Sequence, residues 1–132
     1  MGVETNFKNL KALLVDDEID FVTTLAERLQ IRGIKAQTAT DGQEAMSMIE
    51  KEKPLVVVLD IIMPGISGFK ILEYIKKHHP EIEVILLTGR GSTKEGIEGM
   101  RLGAFDFLMK PVKIEDLIPR MIEAFHKSQG KG

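Results

Sequence analysis

The sequence predicts an α/β fold: a parallel sheet of five strands with five helices spread over both faces. Three observations lead there. Short aliphatic runs alternate with stretches of helical period, the connections between them are brief, and LVVVL at 55–59 is apolar without alternation, as in a strand covered on both sides. A length of 132 residues suits one domain large enough to bury a core without disulfides or metal staples.

Taken in order, KALLV (11–15) reads as the first strand, and the stretch carrying Phe21, Leu25 and Leu29 on one face as the first helix. Gly33 suits that helix's C-terminal cap, since glycine tolerates the left-handed backbone found there. IKAQTAT (34–40) alternates like a second strand, and Asp41 is an N-cap signal for GQEAMSMIEKE. After the third strand, Ser67 can cap GFKILEYIKKHH, which stops at Pro80. EVILL (83–87) is the fourth strand, TKEGIEGMRLG a weak helix and AFDFLM (104–109) the fifth strand. Gly96 and Gly99 each cost about 0.8–1 kcal/mol relative to alanine inside a helix, so the fourth helix is expected to be marginal. The last helix, over 114–127, contains Pro119; either it kinks there or its regular part starts late with Pro119 in the first turn. The expected organisation is an N-terminal tail (1–8), one domain (9–127) and a polar tail (128–132).

Composition excludes several function classes. Zero cysteines rule out disulfides, thiolate metal sites and thiol nucleophiles. A formal charge of −2 without a basic block gives no electrostatic footprint for nucleic acid. No apolar stretch approaches the ~20 residues of a membrane span, and MGVETNF lacks the apolar core of a signal peptide, so a cytoplasmic location without membrane attachment is expected.

In open α/β sheets, ligands bind beyond the carboxyl ends of the strands, where strand order reverses. In a doubly wound, flavodoxin-like sheet of order 2-1-3-4-5, strands one and three meet at that point. Asp16 and Asp17 follow strand one, Asp60 ends strand three, Thr88 ends strand four and Lys110 ends strand five. Three converging carboxylates repel, and one ammonium cannot balance them, so protons or a divalent cation must enter. Oxygen donors on short loops favour a hard ion, and Mg2+ fits best because it accepts one or two carboxylates, waters and phosphate oxygens. A metal-clamped carboxylate beside a lysine and a hydroxyl is equipment for phosphoryl transfer, with Asp60 the nucleophile.

These residues resemble the receiver domain of two-component response regulators. Four blocks carry the resemblance in order: the acidic pair Asp16-Asp17, LDIIMPGISG around Asp60, LLTGRGS with Thr88, and GAFDFLMKPV with Lys110-Pro111. The resemblance implies that Asp60 accepts phosphate from the phosphohistidine of a sensor histidine kinase or phosphotransfer protein. It implies that Asp17 and Asp60 bind Mg2+ directly, Asp16 largely through water, and Ile62 through its backbone carbonyl. Lys110 and Thr88 would hold the phosphoryl group, and the Lys110-Pro111 peptide is expected to be cis. The switch would control an output domain or partner protein, with a homodimer among the assemblies the family uses. GIEGMRLGAFDFLMKP is similar to receivers that precede transcription-activating ATPase domains.

Blander readings stand beside these. An acidic pair after a strand is also a helix N-cap with first-turn charge, and Thr88 alone is a strand-end hydroxyl. His78, His79 and His126 read as surface or helix-end histidines. TGRGST lacks the Gly-Lys-Ser/Thr ending of a phosphate loop. Phe107 reads equally as a packing switch beneath Thr88 or as ordinary strand-five core. The resemblance implies that Ile62 and Arg90 border the path of a water attacking a phosphorylated Asp60; Ile62 cannot orient that water, and Arg90 reads as a phosphoryl contact or a solvated surface residue. The competing function is an Mg2+-dependent aspartyl-phosphate hydrolase of external phosphoesters. That family resembles itself in an acid/base aspartate two residues after the nucleophile, where this chain has Ile62.

Overall fold

The computed structural model describes residues 9–89 and 93–130. The elements run β1 (Lys11–Val15), α1 (Ile19–Ile31), β2 (Lys35–Ala39), α2 (Gly42–Glu52), β3 (Val56–Asp60), α3 (Gly68–His78), β4 (Glu83–Thr88), α4 (Thr93–Arg101), β5 (Asp106–Met109) and α5 (Ile114–Ser128). All four strand pairings are parallel, in the order β2-β1-β3-β4-β5.

Side chains alternate across the sheet, so each strand feeds two cores. Ala12, Leu14, Val56, Val58, Ile85 and Leu87 face α1 and α5. Leu13, Val15, Val57, Leu59, Val84 and Leu86 face the other way, beneath α2 and α3. β3 is buried along its whole length, which explains why its sequence shows no polar alternation.

The capping signals act as the sequence indicates. Asp41 Oδ1 accepts the Glu44 N–H at 2.8 Å, and Ser67 Oγ accepts the Lys70 N–H at 3.3 Å. Gly33 follows the α1 cap with φ +87°. In α5 the regular helix begins at Ile114, so Pro119 lies well inside it rather than in its first turn. Pro119 is exposed, as is Glu115, whose carbonyl loses its helical partner; that carbonyl is therefore on the hydrated side of the helix.

α4 approaches the sheet on its glycines. A Cβ on Gly99 would lie 2.0 Å from Leu86 Cδ1, and one on Gly96 would lie 2.4 Å from Phe107 Cδ2. Gly96 and Gly99 thus weaken the helix intrinsically while permitting a backbone-to-side-chain approach no other residue allows.

At the amino end of β4, Glu83 is only 5% exposed. Its carboxylate lies 3.7 Å from Lys76 Nζ of α3 and 3.8 Å from Lys127 Nζ of α5. One buried acid therefore braces helices from opposite faces of the sheet.

Candidate functional site

The opposite edge of the sheet gathers the candidate site residues. Asp16 follows β1, Asp60 closes β3 and Thr88 closes β4, all three buried, while Lys110 follows β5. Parallel pairing brings them together: Asp60 is registered with Leu87, and the Lys110 N–H donates to the Thr88 carbonyl at 2.7 Å. Gly68 lets the start of α3 close on this edge, since a Cβ there would lie 2.5 Å from the Asp60 carbonyl oxygen. The Lys110-Pro111 peptide is cis.

The Lys110 ammonium lies 2.7 Å from Asp16 Oδ2, 2.8 Å from Glu18 Oε1 and 3.6 Å from Asp60 Oδ2. The Asp16 contact is a close ion pair, and Asp16 Oδ2 is buried with no other partner among the described residues. Its other oxygen accepts the Glu18 N–H at 2.9 Å. Asp60 Oδ1 accepts the Ile62 N–H at 3.2 Å. Asp17 is exposed at the rim, and Asp16, Asp17 and Asp60 each present a carboxylate oxygen within 4.8 Å of the others.

Electrostatics follow from this crowding. Burial, then the charge of Asp16, pushes the Asp60 carboxyl up to about 6, with Lys110 partly opposing the rise. Burial works against the Lys110 ammonium, but contacts with Asp16 and Glu18 outweigh it and raise its pKa above the usual lysine range. Glu18 is held below the ordinary carboxylate range by its hydrogen bond and charge interaction with Lys110.

Thr88 Oγ1 is buried with no hydrogen-bond partner among the described residues. A buried hydroxyl in that condition is costly, typically about 1–3 kcal/mol, unless a ligand or water meets it. Ile62 reaches solvent with 66% exposure, so its side chain lies outside the core. Arg90 and part of TGRGST lie outside the described residues. Phe107 is partly buried, with its ring against Gly96.

Sequence reasoning missed two residues. Glu18 carries no signal of its own in the sequence and Phe21 reads as part of the apolar face of the first helix, yet both contact Lys110, whose Nζ lies 2.8 Å from Glu18 Oε1 and 4.9 Å from the Phe21 ring centroid. The available signal was their spacing, since positions three apart share a helix face just after the acidic pair. The histidines lie elsewhere: His79 Nε2 is 2.7 Å from Glu50 Oε2, His78 packs against Tyr74 and His126 against Phe125.

A five-stranded doubly wound sheet with this acid, hydroxyl and lysine set at its carboxyl edge defines a class, and sequence comparison agrees. Residues 12–122 match the response regulator receiver domain, and the chain belongs to that family, a component of two-component signalling. Among its relatives are a probable transcriptional regulator ycf27 of Cyanophora paradoxa, 35% identical over 90% of this chain and 49% of its own length, and the response regulator MprA of Mycolicibacterium vanbaalenii, 33% identical over 85% and 48%. The chain thus spans about half the length of these curated relatives. Among solved structures, a response regulator receiver domain protein from Clostridium thermocellum superposes with TM-score 0.87 at 34% identity, covering 91% of this chain and 97% of that one. The receiver domain of NtrX from Brucella abortus gives 0.84 at 36%, covering 88% and 98%. Among the described residues, no helix is long and apolar enough to cross a membrane.

Proposed function

We propose that this receiver accepts a phosphoryl group on Asp60 from the phosphohistidine of a sensor histidine kinase or phosphotransfer protein, and that the modified domain switches an output domain or partner. The observation that carries the reading is the placement of Asp60: a buried carboxylate with a lysine ammonium 3.6 Å away and two further carboxylates close enough to share a cation.

In the transfer, a carboxylate oxygen of Asp60 forms the new bond to phosphorus while the nitrogen–phosphorus bond of the donor breaks, its electron pair returning to the imidazole. Lys110 neutralises charge on the phosphoryl oxygens, and the Thr88 hydroxyl, without a partner among the described residues, donates to one of them. The buried acceptor on Asp16 and the three clustered carboxylates suit a hard divalent ion, so Asp16, Asp17, Asp60 and the Ile62 carbonyl are the groups that would hold Mg2+. Bound there, Mg2+ would supply positive charge against the phosphoryl oxygens. With Thr88 drawn toward the phosphoryl group, the change passes to α4 and β5, where Ile97, Met100 and Met109 are exposed to a partner or a second copy.

The test is intact-mass measurement after incubation with a small acyl-phosphate donor and Mg2+. One phosphoryl group is expected on the parent and none on Asp60→Asn. Persistent gain in Asp60→Asn would overturn the acceptor assignment, and undiminished gain in excess chelator would overturn the metal role.

A further inference from the structure

Glu18 has no part in the transfer just described, yet its carboxylate and that of Asp16 are the two closest to the Lys110 ammonium, at 2.8 and 2.7 Å against 3.6 Å for Asp60. Nothing local competes for it. Glu18 occupies the N-cap of α1 with extended backbone and makes no capping hydrogen bond from its side chain. Its own N–H is taken by Asp16 Oδ1, which fixes the turn and points the carboxylate across the pocket. Phe21, three residues on, lies beneath the same ammonium. The N-cap residue of α1 and a residue of its first turn therefore hold a lysine 92 positions from Glu18 in the chain.

We infer that Glu18 is a positioning residue that tethers the Lys110 ammonium away from Asp60 until a phosphoryl group arrives; the inference rests on the reading of Asp60 as phosphoacceptor. Lysine is a compact point charge on a flexible stem, so its position follows the strongest nearby anions. Glu18 is an exposed competitor, and its hold is weak enough for a phosphoryl group carrying close to two negative charges to break. Two opposed consequences follow. Before phosphorylation, the tether holds positive charge off Asp60 and adds a carboxylate beside the pocket, and so favours a divalent cation. During phosphorylation, it competes with the phosphoryl oxygens for the ammonium and slows the reaction.

The test compares the 132-residue parent with Glu18→Gln, Glu18→Asp and Asp60→Asn by two measurements. One is Mg2+ affinity of the unphosphorylated protein, from thermal melts over a Mg2+ titration. The other is the initial rate of mass gain from a small acyl-phosphate donor at saturating Mg2+. Glu18→Gln is expected to weaken Mg2+ binding about twofold while raising the phosphorylation rate about threefold, in the range exposed ion pairs deliver. A merely structural role would not move the two in these opposed senses. Glu18→Asp keeps the charge but is one methylene shorter, and is expected to follow Glu18→Gln. A Glu18→Asp protein that behaves as the parent would assign the effect to local charge and overturn the tether. Unchanged values in Glu18→Gln, with the parent phosphorylated on Asp60, would overturn the tether alone. A parent that gains no phosphoryl group, or an Asp60→Asn protein that gains one as fast, would overturn the acceptor reading and the tether together.

Discussion

Gly96 of α4 and Phe107 of β5 are in contact so close that a Cβ on the glycine would fall 2.4 to 2.6 Å from three ring atoms. At an exposed helical site, Gly→Ala stabilises by up to about 1 kcal/mol. Here the sign should reverse, because overpacking against an aromatic ring costs roughly 1–3 kcal/mol. Urea denaturation of Gly96→Ala, Phe107→Ala and the double variant tests it: the added methyl is expected to be harmless or favourable once the ring is gone. Additive losses would mean the clash is relieved elsewhere.

The elevated Asp60 carboxyl makes the metal-free domain sensitive to pH. Its folded pKa of about 6 exceeds the ordinary value of 3.8, so the folded state binds protons more readily than the unfolded state. Stability from this group is therefore full below the ordinary value and declines as pH rises toward and through about 6. In chelator, the parent's advantage at pH 5.5 over pH 7.5 should shrink in Asp60→Asn. At pH 7.5 that variant should melt about 4 °C higher, near 1 kcal/mol after allowing for solvent screening. An equal pH response in both proteins would remove Asp60 as its source.

Charge relief alone would have Asp16→Ala and Asp17→Ala both stabilise the metal-free fold. The structure separates them. Asp17 is exposed and its loss is expected to be neutral or mildly stabilising, whereas Asp16 holds the Glu18 N–H and pairs with Lys110, so its removal should cost about 1–3 kcal/mol. Both should diminish Mg2+-induced stabilisation. Melts with and without Mg2+ check this, and undiminished stabilisation in Asp17→Ala would exclude it from the cation site.

Phosphoryl lifetime should depend on Ile62. Two residues after Asp60, its exposed side chain cannot hydrogen-bond a water and is branched at Cβ. Ile62→Asn is expected to lose the phosphoryl group about tenfold faster, roughly 1.4 kcal/mol of barrier. Decay after donor removal at fixed Mg2+ is the measurement. A rate equal to or below the parent's would rule out water exclusion by Ile62.

What the sequence made legible was whatever is local or periodic. The strands read as aliphatic runs, Asp41 and Ser67 as caps, and the ends of β1, β3, β4 and β5 as the places where Asp16, Asp60, Thr88 and Lys110 stand. Their convergence follows from strand order, so it could be argued before any coordinate. Three features could not. Gly96 and Gly99 weaken a helix by propensity, and only the facing Phe107 and Leu86 reveal why glycine is needed there. Pro119 breaks a helical pattern on paper, but its exposure lets the helix continue. Glu18 and Phe21 meet a lysine supplied from the far end of the chain, a relationship invisible to any short window.

β4 joins two unlike ends across six residues. At its foot, the Glu83 brace ties α3 and α5 to the strand from either side; at its head, the Thr88 hydroxyl has no partner among the described residues. The backbone is held at both ends, since the Thr88 carbonyl accepts the Lys110 N–H, so only the side chain at the head is uncommitted. On the proposed reading, a pull on Thr88 would not be dissipated by sliding the strand and would be delivered sideways, into the glycine-seated helix alongside.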